Sequence, residues 1–121
     1  MDVQQPLVEL FKALAHPVRL QILEILVQEE ACVCHLMALL GQRQSYISQQ
    51  MMVLRKAGLV LDRKEGLLVF YRPADGELGT LLALARRILE KKGVEVPGVV
   101  IPSAPISGCH CPKCNRDKTC P

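Results

Sequence analysis

"ACVCHLMALLGQRQSYISQQMMVLRKAGLV", residues 31–60, contains a short apolar segment ended by Gly41 and a longer one, from about Gln44 to Ala57, ended by Gly58. Glycine just past a helix end is favoured because it accepts left-handed dihedrals, so both segments read as helices with defined stops. Two helices separated by so short a turn form a helix-turn-helix. The same stretch opens with Cys32 and Cys34, one residue apart, against the element that would read DNA.

Upstream, Leu7, Leu10, Phe11 and Leu14 recur at helical spacing, and "AHPVRLQILEILV" restarts with Pro17 at a first helical position and Val18, Ile22, Ile25 and Leu26 on one face. Downstream, "LVLDRKEGLLVFYRP" has two apolar runs around a charged break and reads as a β-hairpin with Lys64, Glu65 and Gly66 at its tip. "ELGTLLALARRILEKKG" returns to helical spacing through Leu78, Leu81, Leu82, Ala85 and Leu89, with Gly93 as stop. The expected fold is mainly α with a β-hairpin wing, a winged helix-turn-helix. Residues 1–92 form the domain, 93–108 are a linker broken by Pro97, Pro102 and Pro105, and 109–121 are a cysteine-rich tail.

A chain of 121 residues supports one modest core. No run approaches the roughly 18 to 20 apolar residues of a membrane span, and the N-terminus lacks the pattern of a signal peptide, so a cytoplasmic protein with no membrane partner is expected. The net charge of +3 is unevenly spread: residues 1–40 carry −3, residues 41–72 carry +4 and the remainder +2. Positive charge thus gathers in the middle third, as a phosphate-contacting surface requires. A solvated polar face is the bland alternative.

With these motifs in order, the chain resembles the ArsR/SmtB family of metal-sensing bacterial repressors. The resemblance spans roughly residues 7–92 and rests on "FKALAHPVRLQILEIL", "ACVCHL", "YISQQMMVLRKAGLV" and "DRKEGLLVFYR". It implies a homodimer on an inverted-repeat double-stranded DNA operator, with the helix from about Gln44 to Ala57 in the major groove, and no enzymatic activity. Gln44, Ser45, Tyr46, Ser48, Gln49 and Gln50 are the expected contacts to base edges and phosphates, with Arg55, Arg63 and Lys64 on the backbone. The chain departs from the family's habit at Arg43, where serine often opens this helix, and at Gln50, where histidine is common.

Cys32 and Cys34 would point in roughly opposite directions on a helix, where successive residues turn by ~100°, but share one side of an extended strand. Chelation by the pair is therefore expected to oppose helical structure near Val33 and pull on the support of the recognition helix. The resemblance implies As(III) or Sb(III), or Cd(II) or Pb(II), as the ion, and many arsenite sensors add a third cysteine where this chain has Met37. The alternative is two small buried residues, since cysteine often acts as a core hydrophobe. His35 is either a further ligand or, the favoured reading, an exposed polar residue at a helix start, and His16 is expected to be a cap or surface group.

"CHCPKCNRDKTC" adds Cys109, Cys111, Cys114 and Cys120, soft ligands suited to the same ions, with Zn(II) a further candidate for the tail. A flexible sixteen-residue linker spans about 20 to 24 Å, so the tail can complete the Cys32/Cys34 site or form its own. Three other functions compete: a repressor of the same fold that answers thiol oxidation or persulfidation, a thiol oxidoreductase using Cys111 and Cys114, and a DNA-binding or metal-storage protein with uncoupled halves.

Overall fold

The computed structural model describes residues 3–101. Five helices and three strands follow in the order α1 (Gln5–Leu14), α2 (Pro17–Leu26), β1 (Ala31–Cys32), α3 (Val33–Leu40), α4 (Gln44–Lys56), β2 (Val60–Glu65), β3 (Leu68–Pro73) and α5 (Glu77–Glu90). The sheet is antiparallel with strand order β1-β3-β2. This is the expected winged helix-turn-helix, with β2 and β3 as the wing.

Local chemistry places the helix ends. Pro17 starts α2 behind His16, whose extended backbone lets Nδ1 accept from the N–H groups of Val18 (3.2 Å) and Arg19 (3.4 Å). His16 therefore caps the helix. Helix α4 ends in a Schellman motif: Gly58, at φ +75°, donates to Arg55 O, and Leu59 donates to Leu54 O. That reversal sends the chain straight into the wing.

The core lies between α2, α3, α4 and the base of the sheet. Ile22, Leu23, Ile25, Leu36, Ile47, Leu54 and Val60 are fully enclosed there, consistent with a helical core built from aliphatic side chains. Two expectations shift. The wing turns at Gly66 and Leu67, because Glu65 pairs with Leu68 and leaves a two-residue loop, so Lys64 and Glu65 belong to β2. Strand β1 is new: Ala31 pairs with Tyr71 and Cys32 with Phe70.

Residues 94–101 have neither helix nor strand, yet they are seated on the domain. Arg86 Nε donates to Val96 O (3.1 Å), Gln28 Nε2 donates to Val99 O (2.8 Å), and Val99 and Ile101 pack against the core. This part of the expected linker is thus held against α2 and α5. Pro102, Pro105 and the tail cysteines Cys109, Cys111, Cys114 and Cys120 lie outside the described residues.

Candidate functional site

Helix α4 buries Ile47, Gln50, Met51 and Leu54 and turns the opposite face outward. Gln44, Ser45, Ser48 and Gln49 are exposed on that face, and Tyr46 is half-buried, its Oη 3.4 Å from His16 Nε2. Because Nδ1 of His16 accepts from the backbone, Nε2 carries the ring proton and donates to the phenol oxygen. The first turns of α4 thus present four polar side chains held by an apolar stripe, a geometry suited to groove contacts.

Gln50 does not belong to that surface. It is 8% exposed, and its Oε1 accepts from Arg19 Nη1 at 2.9 Å. Arg19 also donates to Ala13 O (2.6 Å) and Lys12 O (3.2 Å), so one guanidinium joins the end of α1 to α2 and α4. The expected base contact is a scaffold residue. Arg19 carries no functional expectation from the sequence, although a cation near the last carbonyls of a helix has a physical reason to be there.

The expected backbone-holding cations differ among themselves. Lys64 is exposed on β2, and Arg55 is exposed with Asp62 3.8 Å away. Arg63 is committed within the protein: Nη2 and Nε donate to Glu30 (2.8 and 3.3 Å), Nη1 donates to Glu65 (2.8 Å), and the guanidinium lies 5.1 Å from the centre of the Phe70 ring. The Glu30 and Glu65 hydrogen bonds hold its pKa above the ordinary arginine value. Its charge is already matched by two carboxylates.

Cys32 and Cys34 meet, with their sulfurs 2.9 Å apart. Cys32 is extended (φ −93°, ψ 169°), pairs within β1 and is the N-cap of α3, whereas Cys34 sits in the first helical turn. The sequence-based expectation that chelation must oppose the start of the helix is therefore corrected. The strand-to-helix junction brings both sulfurs to one point with α3 intact. Tetrahedral zinc with S–Zn bonds of about 2.3 Å would need sulfurs roughly 3.8 Å apart, so the donor set fits a soft ion after a displacement of about 1 Å.

The pair is packed into the wing. Cys32 is 3% exposed against Phe70, and Cys34, Ala38 and Leu68 surround them. Behind it, His35 is buried at 3% exposure with Nε2 3.1 Å from Glu29 Oε1, which corrects its expected place at the surface. Met37 is half-buried and packs on the main core.

Residues 16–61 match the family model described as "Bacterial regulatory protein, arsR family". The chain is 43% identical over 84 residues to the HTH-type transcriptional regulator Rv0081 of Mycobacterium tuberculosis, covering 69% of this chain and 74% of that one. The crystal structure of Rv0081 superposes with a TM-score of 0.72 at 39% identity, over 76% of this chain and 93% of that chain. The arsenical resistance operon repressor of Escherichia coli is 47% identical over 66 residues, or 54% of this chain and 56% of its own. The solution structure of the homodimeric winged helix-turn-helix DNA-binding domain of Mb0332 from Mycobacterium bovis has a TM-score of 0.68 at 29% identity, over 76% of this chain and 90% of that one.

Proposed function

Because the chain belongs to the ArsR family of bacterial transcriptional regulators, we propose that it is an operator-binding repressor released from DNA when a thiophilic ion is bound by Cys32 and Cys34. The ion is As(III) or Sb(III), or Cd(II) or Pb(II), all suited to thiolate donors. The observation that carries the reading is the 2.9 Å approach of the two sulfurs at the junction of β1 and α3. The arsenical repressor of Escherichia coli, similar over its 66 matched residues, supports the choice of chemistry.

The junction touches both parts of a DNA-binding surface. Cys34 lies on α3, which packs against α4, while Cys32 pairs with Phe70 of the wing. Arg63 stacks on that same ring and grips Glu30, two residues before Cys32. A shift of the sulfurs is thereby felt at the recognition helix and at the wing together. Since linkage is reciprocal, operator DNA weakens ion binding by the factor with which the ion weakens operator binding.

The working species is a homodimer on a double-stranded operator. Helices α1 and α5 leave Leu7, Phe11, Leu84 and Ile88 about half exposed, apolar surface that a second copy would cover. Mb0332, a structural neighbour, is homodimeric. Gln44, Ser45, Ser48 and Gln49 enter the groove, with Tyr46 at its edge and Lys64 and Arg55 on phosphates.

Titrating operator-bound protein with arsenite, antimonite, cadmium and lead, read by fluorescence anisotropy, tests this. Release is expected in the wild type and not in Cys32→Ser or Cys34→Ser. Release retained in both variants would move the sensor elsewhere.

The same sulfur approach favours a second reading, in which hydrogen peroxide takes two electrons and two protons from the thiols, yielding a Cys32–Cys34 disulfide and two waters. Release by peroxide, but by none of the four ions, would select it.

A further inference from the structure

Arg43 opens α4 at a position where an arginine costs stability. The residue before a first helical turn is favoured when its side chain can accept from that turn's free N–H groups, and a guanidinium has five donors and no acceptor. Arg43 accordingly makes no capping hydrogen bond, whereas His16 caps α2. Its charge also stands at the positive end of the helix dipole, and no acidic residue lies in the first turn to offset it.

The side chain gains nothing from the protein in return. Arg19 donates to two carbonyls and to Gln50, Arg55 faces Asp62, Arg63 faces Glu30 and Glu65, and Arg86 faces Glu24. Among the described residues no carboxylate pairs with Arg43, which is exposed. It borders an open hollow of about 410 Å³ whose other walls are Gln42, Ser45, Tyr46 and Gln49. Two of these, Ser45 and Gln49, are the exposed polar side chains assigned above to the DNA groove.

Building on the operator-binding reading above, we infer that Arg43 is a specificity-determining residue that reads one guanine in each operator half-site through the major groove. A side chain that breaks two local rules at the tip of a groove-entering helix, with its donors left to an outside partner, marks a functional position. The N-terminal residues of a recognition helix are the ones that meet base edges.

Donor chemistry selects the base. A guanidinium can only donate, so it needs acceptors, and its planar fork needs two of them side by side. In the major groove guanine presents O6 and N7, two adjacent acceptors. Adenine sets its N7 beside an amino donor, cytosine presents an amino donor, and thymine offers one acceptor beside a methyl group. Guanine alone satisfies both arms of the fork.

The test uses the full chain. Duplexes bound by the wild type are selected from a randomised pool and sequenced, and the selection is repeated with Arg43→Ser. The wild type is expected to demand guanine at one base pair of each half-site, where any other base costs roughly 5- to 150-fold in affinity. Arg43→Ser is expected to lose that demand and keep the preferences at the remaining positions. At the same base, 7-deazaguanine, which lacks the N7 acceptor, is expected to weaken the wild type and leave the variant unaffected. Because serine can accept from the first turn, Arg43→Ser is also expected to raise the melting temperature by about 4 to 8 °C at equal protein concentration.

Uniform weakening of every duplex by Arg43→Ser, with the salt slope reduced by about 0.9 per protomer, would put the guanidinium on a phosphate and overturn the guanine contact. Unaltered base preferences in the variant would overturn it as well. A lowered melting temperature would mark the side chain as a support of the helix start, with the same consequence. Failure of the wild type to enrich any sequence would instead sink the operator-binding reading itself.

Discussion

Arg19 Nη1 donates to Gln50 Oε1 at 2.9 Å, and this bond ties the recognition helix to the carbonyl end of α1. Loss of one partner strands the other at a part-buried site, where a hydrogen bond to a charged group contributes about 1.5 to 3 kcal/mol. Gln50→Ala is expected to lower unfolding stability by that amount in urea melts while preserving the pattern of preferred operator bases. Gln49→Ala, on the exposed face, is expected to do the reverse. A changed base preference in Gln50→Ala would put that side chain back at the duplex.

His16 has two tasks, capping α2 through Nδ1 and holding Tyr46 through Nε2. Asparagine can take over the first but not the second. His16→Ala is expected to lose about 1 kcal/mol of stability relative to His16→Asn in thermal or urea unfolding, the ordinary worth of an N-cap acceptor. Equal stabilities would remove the cap from the account.

Much of this arrangement is legible in the chain itself. Pro17, Gly41, Gly58 and Gly93 mark helix limits because each has a backbone reason to stand there, and the +4 charge of residues 41–72 points to the α4 and wing region. Gln50 is misread when polarity alone is weighed. It shares a stripe with Ile47, Met51 and Leu54 at spacings of three and four residues, and helical phase, not side-chain type, puts it inside. Strand β1 leaves no such trace: two residues cannot display an alternation, and the extended backbone of Cys32 comes from pairing with the distant Phe70. The convergence of the sulfurs is likewise tertiary. So is the retention of Arg63 by Glu30, thirty-three residues earlier in sequence.

Tyr71, paired with Ala31 across the sheet, has its pKa raised above the ordinary 10.0, first by burial and then by the negative charge of Asp62. The folded state therefore keeps the phenol proton at a pH where the unfolded chain has lost it. Stability is insensitive to this group below about pH 10 and falls as pH rises past that value, because the native state then binds more protons than the unfolded one. Urea melts across the alkaline range are expected to show this decline, and Tyr71→Phe to flatten it. An identical slope in the variant would assign the decline to other groups.

Neighbours in sequence, Arg63 and Lys64 are expected to act differently toward DNA. Each lysine or arginine that neutralises a phosphate contributes about −0.9 to the slope of log affinity against log salt concentration. Lys64 is exposed, whereas Arg63 already faces Glu30 and Glu65 and stacks on Phe70. Lys64→Ala should reduce the magnitude of the slope by about 0.9 in each protomer of a bound dimer. Arg63→Ala should leave the slope nearly unchanged and instead loosen the wing beside the thiol pair, seen as faster amide exchange at Phe70 and Cys32. A reduction by the same ~0.9 per protomer in Arg63→Ala would mean that DNA draws the guanidinium away from both carboxylates, and that the contact with Glu30 belongs only to the unbound protein.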